Sequence, residues 1–218
     1  MSEQEFFTYW KQVHAVRYGS KIRQAKGYLI NTRVPCVPFQ GEPPFQGVAE
    51  VWIESLEDEL AFAQSKEYLE GSRLDEPNFL AWWQMFALDT TDDVFVEPPA
   101  GDWGGVKLFV VWKRKPGMSL EEFRRYQREV HAPLGARLPG LRGYVQCPVV
   151  DGHYAVGESL LDSVSMLWFD NTDAIDHAMH SDVFQKQVQP DLVNFVDLRY
   201  FHVLVTEGHW VVRLESGP

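Results

Sequence analysis

Two histidines each close a charged amphipathic segment in the same frame: His14 in "QEFFTYWKQVHAVR" (4–17) and His131 in "EEFRRYQREVHAPL" (121–134). An imidazole titrates near neutral pH, so it can take up and return a proton without a metal. A nearby carboxylate would fix its tautomer and raise its basicity. For His14 the candidate is Glu50, on an extended segment expected to cross the helix end. Met166 stands at the aligned place in the second half of the chain, which leaves His131 without an equivalent acid. Tyr9 and Tyr126 precede their histidines by five residues, off the same face of an α-helix. Core packing and donation to a substrate carbonyl both stay open for them. A plainer role for each histidine is to satisfy a carbonyl at its helix end and complement the helix dipole.

The elements that must position these residues occur twice. Ser2, Glu5, Phe6, Tyr9, Val13, His14 and Ala15 align in order with Ser119, Glu122, Phe123, Tyr126, Val130, His131 and Ala132. After a one-residue gap, Gly27-Tyr28 falls on Gly143-Tyr144, Trp52 on Trp168 and Asn78-Phe79 on Asn194-Phe195. Matches that hold their order over nearly the whole length indicate duplication. Each repeat offers a capping box (Ser2/Glu5, Ser119/Glu122) and an apolar helical stripe. An extended piece (26–34 or 142–150), a turn-rich loop, a strand (48–54 or 164–170), a second helix and a closing strand (93–98 or 202–207) follow. With the β-run 106–112 in front, the second repeat reads β-α-β-β-α-β, a ferredoxin-like unit. The fold class is α+β, with two tandem ferredoxin-like units that bury their open sheet faces against each other as an intramolecular pseudo-dimer, an α/β barrel. Residues 1–100 form the first unit, "GDWGG" (101–105) the linker and 106–218 the second unit. The first repeat begins at its helix and lacks a first strand. The C-terminal segment "HWVVRL" (209–214) is the candidate to supply it, since "VVRLESGP" (211–218) resembles "VVWKRKPG" (110–117) in pattern.

Composition narrows the function classes. A net charge of −11, with no basic cluster denser than "KRK" (113–115), argues against nucleic acid and anionic membrane partners. No apolar run reaches the length of a membrane span, and "MSEQEFF" lacks the build of a secretory signal, so a cytoplasmic location is expected. Cys36 and Cys147 read as reduced packing thiols. His177 and His180, near Asp173 and Asp176, read as a solvated helix face and not as a metal site, for want of a third ligand at suitable spacing. Phosphate loops, nucleophile elbows and HExxH are absent from the sequence. Aromatics are abundant: eight Trp, eight Tyr and fourteen Phe, four of them within "FLAWWQMF" (79–86). Some should line a cavity for a flat apolar ligand. The candidate set is Trp10, Trp52, Trp82, Trp83, Phe86, Trp112 and Trp168.

The stretch "KLFVVWKRKPGMSLEEFRRYQREVHAPLGARLPGLRGYVQ" (107–146) resembles the opening half of an EthD domain, a branch of the dimeric α/β barrel superfamily. "GVAEVWIESLEDELAFAQS" (47–65) resembles the second half of the same domain. Phe-x-x-Tyr, Val-His-Ala-Pro, Leu-Arg-Gly-Tyr and Gly-x-Ala-Glu-x-Trp carry the likeness together. It implies clefts between sheet and helices with the helix-end histidine facing in, and relatives that act without cofactor on polyketide-like aromatics. Repeat one departs from the pattern with His14-Ala-Val but keeps Gly47 and Glu50. Repeat two keeps His131-Ala-Pro but has Ser163 and Met166 in their places. Unequal sites are therefore expected, with the histidine–carboxylate pair in the first. Two functions stay open. One is a cofactor-free lyase, dehydratase, decarboxylase or cyclase in which His14, His131, Glu50, Tyr9 and Tyr126 act on a small hydrophobic aromatic substrate. The other is a binding or accessory protein for such a ligand or haem, or a partner of a monooxygenase system. Association of the pseudo-dimer into a homo-oligomer is left open.

Overall fold

The structure, a computed structural model of the 218-residue chain, describes residues 1–39, 41, 45–101 and 103–214. Pro43 and Pro44 of the expected loop, Asp102 of the expected linker, and 215–218 of the C-terminal match lie outside the described residues. Helix α1 (Glu3–Tyr9) runs directly into a π-helical turn (Trp10–His14) and α2 (Ala15–Arg17). Strands β1 (Gly27–Arg33) and β2 (Gly47–Trp52), helix α3 (Leu56–Gln64), a second π-helical stretch (Glu67–Ser72), α4 (Arg73–Asp75) and β3 (Asp93–Val96) follow. The second repeat opens with β4 (Val106–Trp112), then α5 (Leu120–Tyr126), a π-helical turn (Gln127–His131) and α6 (Ala132–Gly135). It continues with β5 (Leu141–Pro148), β6 (Ser163–Phe169), α7 (Thr172–Met179), a π-helical turn (Phe184–Val188), α8 (Gln189–Phe195) and β7 (His202–Val212). Both expected capping boxes form: Ser2 and Ser119 each accept from the third helical amide, and Glu5 and Glu122 accept from the cap amides in return. Among the described residues, no helix is long and apolar enough to cross a membrane.

Packing divides the chain into two compact units that do not follow the repeat boundary. Unit one comprises Met1–Thr32, Phe45–Ala87 and Gly208–Pro218; unit two comprises Arg33–Pro44 and Leu88–Glu207. In unit two the strand order is β7-β4-β6-β5-β3, the ferredoxin-like order with one strand added beside β5. All seven residues of β4 are buried, which is why its sequence, Lys107 apart, reads as an apolar run. Val106, Leu108, Val110 and Trp112 of β4 pack with Tyr144, Leu167 and Phe169 against Phe123, Ile175 and Phe195. Each such large side chain contributes roughly 1.5–3 kcal/mol by leaving water. The segment after β1 adds Cys36, Val34 and Phe39 to this core. The closing strand of repeat one, β3, pairs antiparallel with β5, Asp93 opposite Gln146.

Unit one has the order β2-β1-β7 and a smaller core of Trp10, Ala15, Tyr28 and Ile30, joined by Phe6, Phe79, Val211 and Val212. The C-terminal segment does enter the sheet of unit one, but in a different place from a first strand. In unit two the first strand β4 pairs with β6, the counterpart of β2. The second half of β7 instead lies beside β1, with Gly208 against Leu29 and Leu214 against Gly27. It thus stands beside β1 as β3 stands beside β5. Among the described residues β2 keeps a strand on one side only. Helix α3 buries none of its residues, and Leu56 and Leu60 are exposed.

Candidate functional site

The π-helical turns are the local cause of the site. A regular α-helix carries residues five apart on different faces, whereas the wider π turn inserts one residue and brings them toward one side. Tyr126 and His131 flank such a turn, and both reach the same carboxylate. In unit two the Nδ1 of His131 lies 3.0 Å from Asp191 Oδ2. Tyr126 donates its hydroxyl to Asp191 Oδ1 at 2.6 Å, and Asn194 donates its amide to the same oxygen at 3.0 Å. The Phe195 ring packs on both partners, 4.8 Å from the imidazole and 5.2 Å, stacked, from Tyr126. Trp112 meets the imidazole edge-on at 5.3 Å.

Unit one repeats this arrangement. His14 Nδ1 lies 2.9 Å from Asp75 Oδ2, Tyr9 donates to Asp75 Oδ1 at 2.8 Å, and Asn78 donates to the same atom at 3.0 Å. Phe79 packs 4.8 Å from His14 and 5.3 Å from Tyr9. Both imidazoles are buried; His131 is only 2% exposed.

Charge balance follows from these contacts. Burial alone would raise the Asp191 carboxyl, but hydrogen bonds from Tyr126, Asn194 and His131 outweigh it and hold the group below its ordinary value. Burial likewise acts to raise Asp75, and bonds from Asn78, His14 and Tyr9 bring it down. Burial pushes the His131 imidazole below its ordinary value, with Asp191 opposing only in part, so the ring is neutral at pH 7. Tyr126 is raised by burial and by its bond to Asp191, and Tyr9 chiefly by its bond to Asp75.

The expected carboxylate for His14 is corrected. Glu50 accepts a hydrogen bond from Asn31 Nδ2 at 2.7 Å, while Asp75, from a helical segment far along the chain, takes the imidazole. His131 has an acid after all, in Asp191, and the two units do not differ in the histidine–carboxylate pair. The expected separation of each tyrosine from its histidine fails for the same reason in both units, the π turn. A sequence signal for the missing acids was present: Asp-x-x-Asn-Phe occurs at 75–79 and again at 191–195.

Of the candidate aromatics, Trp112 meets an imidazole directly, at 5.3 Å from His131. Trp10 is buried, 5.4 Å from Phe6 and donating to the Tyr28 hydroxyl. Trp52 stacks on Trp210 at 5.4 Å, and Trp168 lies under the Lys107 ammonium at 4.8 Å. Phe86 meets Phe45 edge-on. Trp82 and Trp83 form an exposed T-shaped pair, Trp83 being 69% exposed, so this pair lines no cavity around a histidine.

A family model described as the EthD domain matches residues 1–81 and 115–199. The chain belongs to the EthD domain family. It carries the domain twice, as the aligned repeats and the duplicated site require. Among solved structures, this EthD protein is similar to an anthrone oxidase-like protein, with 13% identity over 99% of this chain and 90% of that chain and a TM-score of 0.59. It is also similar to a putative monooxygenase from Fusobacterium nucleatum subsp. nucleatum ATCC 25586, with 8% identity over 97% and 88% of the two chains and a TM-score of 0.51. An EthD family protein from Bacillus halodurans C-125 shares 24% identity over 47% of this chain and 96% of its own, with a TM-score of 0.40. A comparison with curated proteins finds no match. The first two likenesses establish the α+β fold.

Proposed function

We propose that the protein is an enzyme that moves protons without a cofactor, acting on a small enolisable aromatic or polyketide-like molecule with His131 as the base. The observation that carries this reading is a buried imidazole whose Nδ1 is committed to Asp191. With Nδ1–H donating to the carboxylate, the Nε2 lone pair is the base. The ring is neutral before reaction, and the imidazolium formed when it takes a proton gains the adjacent negative charge. Tyr126 and Asn194 keep Asp191 ionised and in place. Removal of a proton from carbon beside a carbonyl gives an enolate, from which loss of a leaving group or ring closure follows; in a decarboxylation the enolate forms by loss of CO2 and the imidazolium returns the proton to carbon. Trp112 and Phe195 pack against the imidazole and surround it with aromatic rings. Family membership supports a small-molecule ligand. The name of the anthrone oxidase-like neighbour supports hydroxylated aryl ketones as the first compounds to try.

A binding protein without turnover is the second reading. It is favoured by the fact that Tyr, Asn and His satisfy the aspartate in both units, an arrangement that also clamps helices together. Incubation with dihydroxyanthrone and a set of hydroxylated aryl ketones in deuterated water separates the two. The enzymatic reading expects the protein to accelerate exchange of the acidic carbon-bound hydrogen, and His131→Gln to bind without exchange. Binding across the set with no acceleration would leave only the second reading.

A further inference from the structure

Duplication makes each unit a reference for the other, and next to the histidine the two differ in a coordinated way. Under the repeat alignment Gln127 stands at the position of Trp10, Gln146 at that of Ile30, Ser163 at that of Gly47 and Ser165 at that of Ala49. In unit one the indole of Trp10 occupies the space. A Cβ on Gly47 would lie 2.6 Å from Trp10 Cζ3, so the glycine is what admits the ring. The indole nitrogen is satisfied by the Tyr28 hydroxyl at 3.0 Å. That corner is filled and its polar group is used.

In unit two the shorter Gln127 is buried to 2% exposure, and its Nε2 has no hydrogen-bond partner among the described residues. Gln146, fully buried beside it, donates to the Tyr144 hydroxyl at 2.7 Å and reaches the Gln127 carbonyl at 3.5 Å. Ser165 accepts from the Trp112 indole at 2.9 Å, and the same indole meets His131. Gln127 opens the π turn that His131 closes. Buried donors are nearly always hydrogen-bonded, so an orphaned amide on the π turn that ends in the base marks a place for an acceptor from outside the chain. Gln127, Gln146 and Ser165, where the sister unit has Trp, Ile and Ala, do not arise from packing needs, since the sister unit packs without them.

We propose that Gln127, supported by Gln146 and Tyr144, is the recognition site in unit two for a ligand oxygen, the carbonyl or phenolate of a hydroxylated aryl ketone, and that in unit one the Trp10 indole has closed the corresponding site. The inference rests on the proposed ligand class, but its readout is binding and not turnover. Specificity of this kind is strong because rejecting a ligand that lacks the oxygen leaves the amide unpaired.

The test is titration calorimetry with dihydroxyanthrone on the full chain. One ligand per chain is expected. Gln127→Leu should weaken the Kd tenfold or more while the melting temperature stays level or rises, because the substitution removes an orphaned donor at nearly constant volume. Gln127→Trp, which copies the unit-one plug, should abolish binding; if it fails to fold, the leucine variant carries the result. Two ligands per chain, a Gln127→Leu Kd within twofold of the parent, or no binding of any hydroxylated aryl ketone overturns the proposal. A leucine variant that loses stability with an unchanged Kd identifies a bound water as the acceptor and overturns it too. Intact binding without deuterium exchange would instead count against the enzymatic reading alone.

Discussion

Replacing Asp191 by asparagine neutralises the charge on which three donors converge: Tyr126 at 2.6 Å, Asn194 at 3.0 Å and His131 at 3.0 Å. Tyr126 is half-buried and Asn194 exposed, so water can replace what they lose, at about 1 kcal/mol each. His131 is sealed from water, and a mismatched buried partner there costs about 1–3 kcal/mol. The loss is therefore roughly 3–5 kcal/mol, which for a chain of this size lowers the melting temperature by about 6–20 °C. Asp75→Asn removes the same three bonds in unit one and should cost about as much. The two variants should part in deuterium exchange on dihydroxyanthrone. Asparagine at 191 can donate to Nδ1, which moves the ring proton to Nε2 and removes the base, slowing exchange by about 10²–10⁴. Asp75→Asn should leave exchange within a few-fold of the parent. Thermal melts and exchange rates on both variants check this. An Asp191→Asn protein with the parent's melting temperature and exchange rate refutes the reasoning.

The folded pKa of His131 is depressed, so the unfolded chain takes the proton first; its contribution to stability is full above about pH 6.5 and falls as pH drops through that value. Urea titrations from pH 5 to 8 should show less acid-side loss in His131→Gln than in the parent, and equal slopes would contradict this. Gly47→Ala drives a Cβ to 2.6 Å from the Asn31 carbonyl oxygen and from Trp10, and should cost about 1–3 kcal/mol in a denaturant melt, whereas Ser163→Ala at the matching place loses only the 3.3 Å bond to the Cys147 carbonyl and should cost about 1 kcal/mol or less. A chain ending after Glu207 loses the Trp210 stack on Trp52, the packing of Val211 and Val212, and Leu214 over Gly27. It should be markedly less stable than the full chain, and an unchanged melting curve would refute the role given to the strand.

The duplication, the capping boxes, the order of the elements and the buried run of β4 were legible in the sequence, because each is a local pattern. The partners of the histidines were marked only by the repeated Asp-x-x-Asn-Phe, with nothing local to tie it to them. They depend on π turns, which side-chain periodicity does not announce, and on aspartates some sixty positions away that only the fold brings back. Glu50 was the plausible acid by strand position, yet Asn31, buried opposite on β1, takes it. The compact units were also hidden. Residues 1–100 and 106–218 are the repeats of the sequence, but β3 pairs with β5, and Val211, Val212 and Leu214 pack with the core and first strand of unit one. The aromatic cluster 79–86 misled because density of aromatics along a chain does not say which way they face; Trp82 and Trp83 face water.

The account turns on the state of one ring, and nitrogen-15 NMR of the imidazoles, assigned through His131→Gln, reads it directly. At pH 7 His131 should be neutral with its proton on Nδ1, held toward Asp191, and should titrate below the ordinary histidine range. A proton on Nε2, or an imidazolium at pH 7, would contradict the assignment of His131 as a base positioned by Asp191.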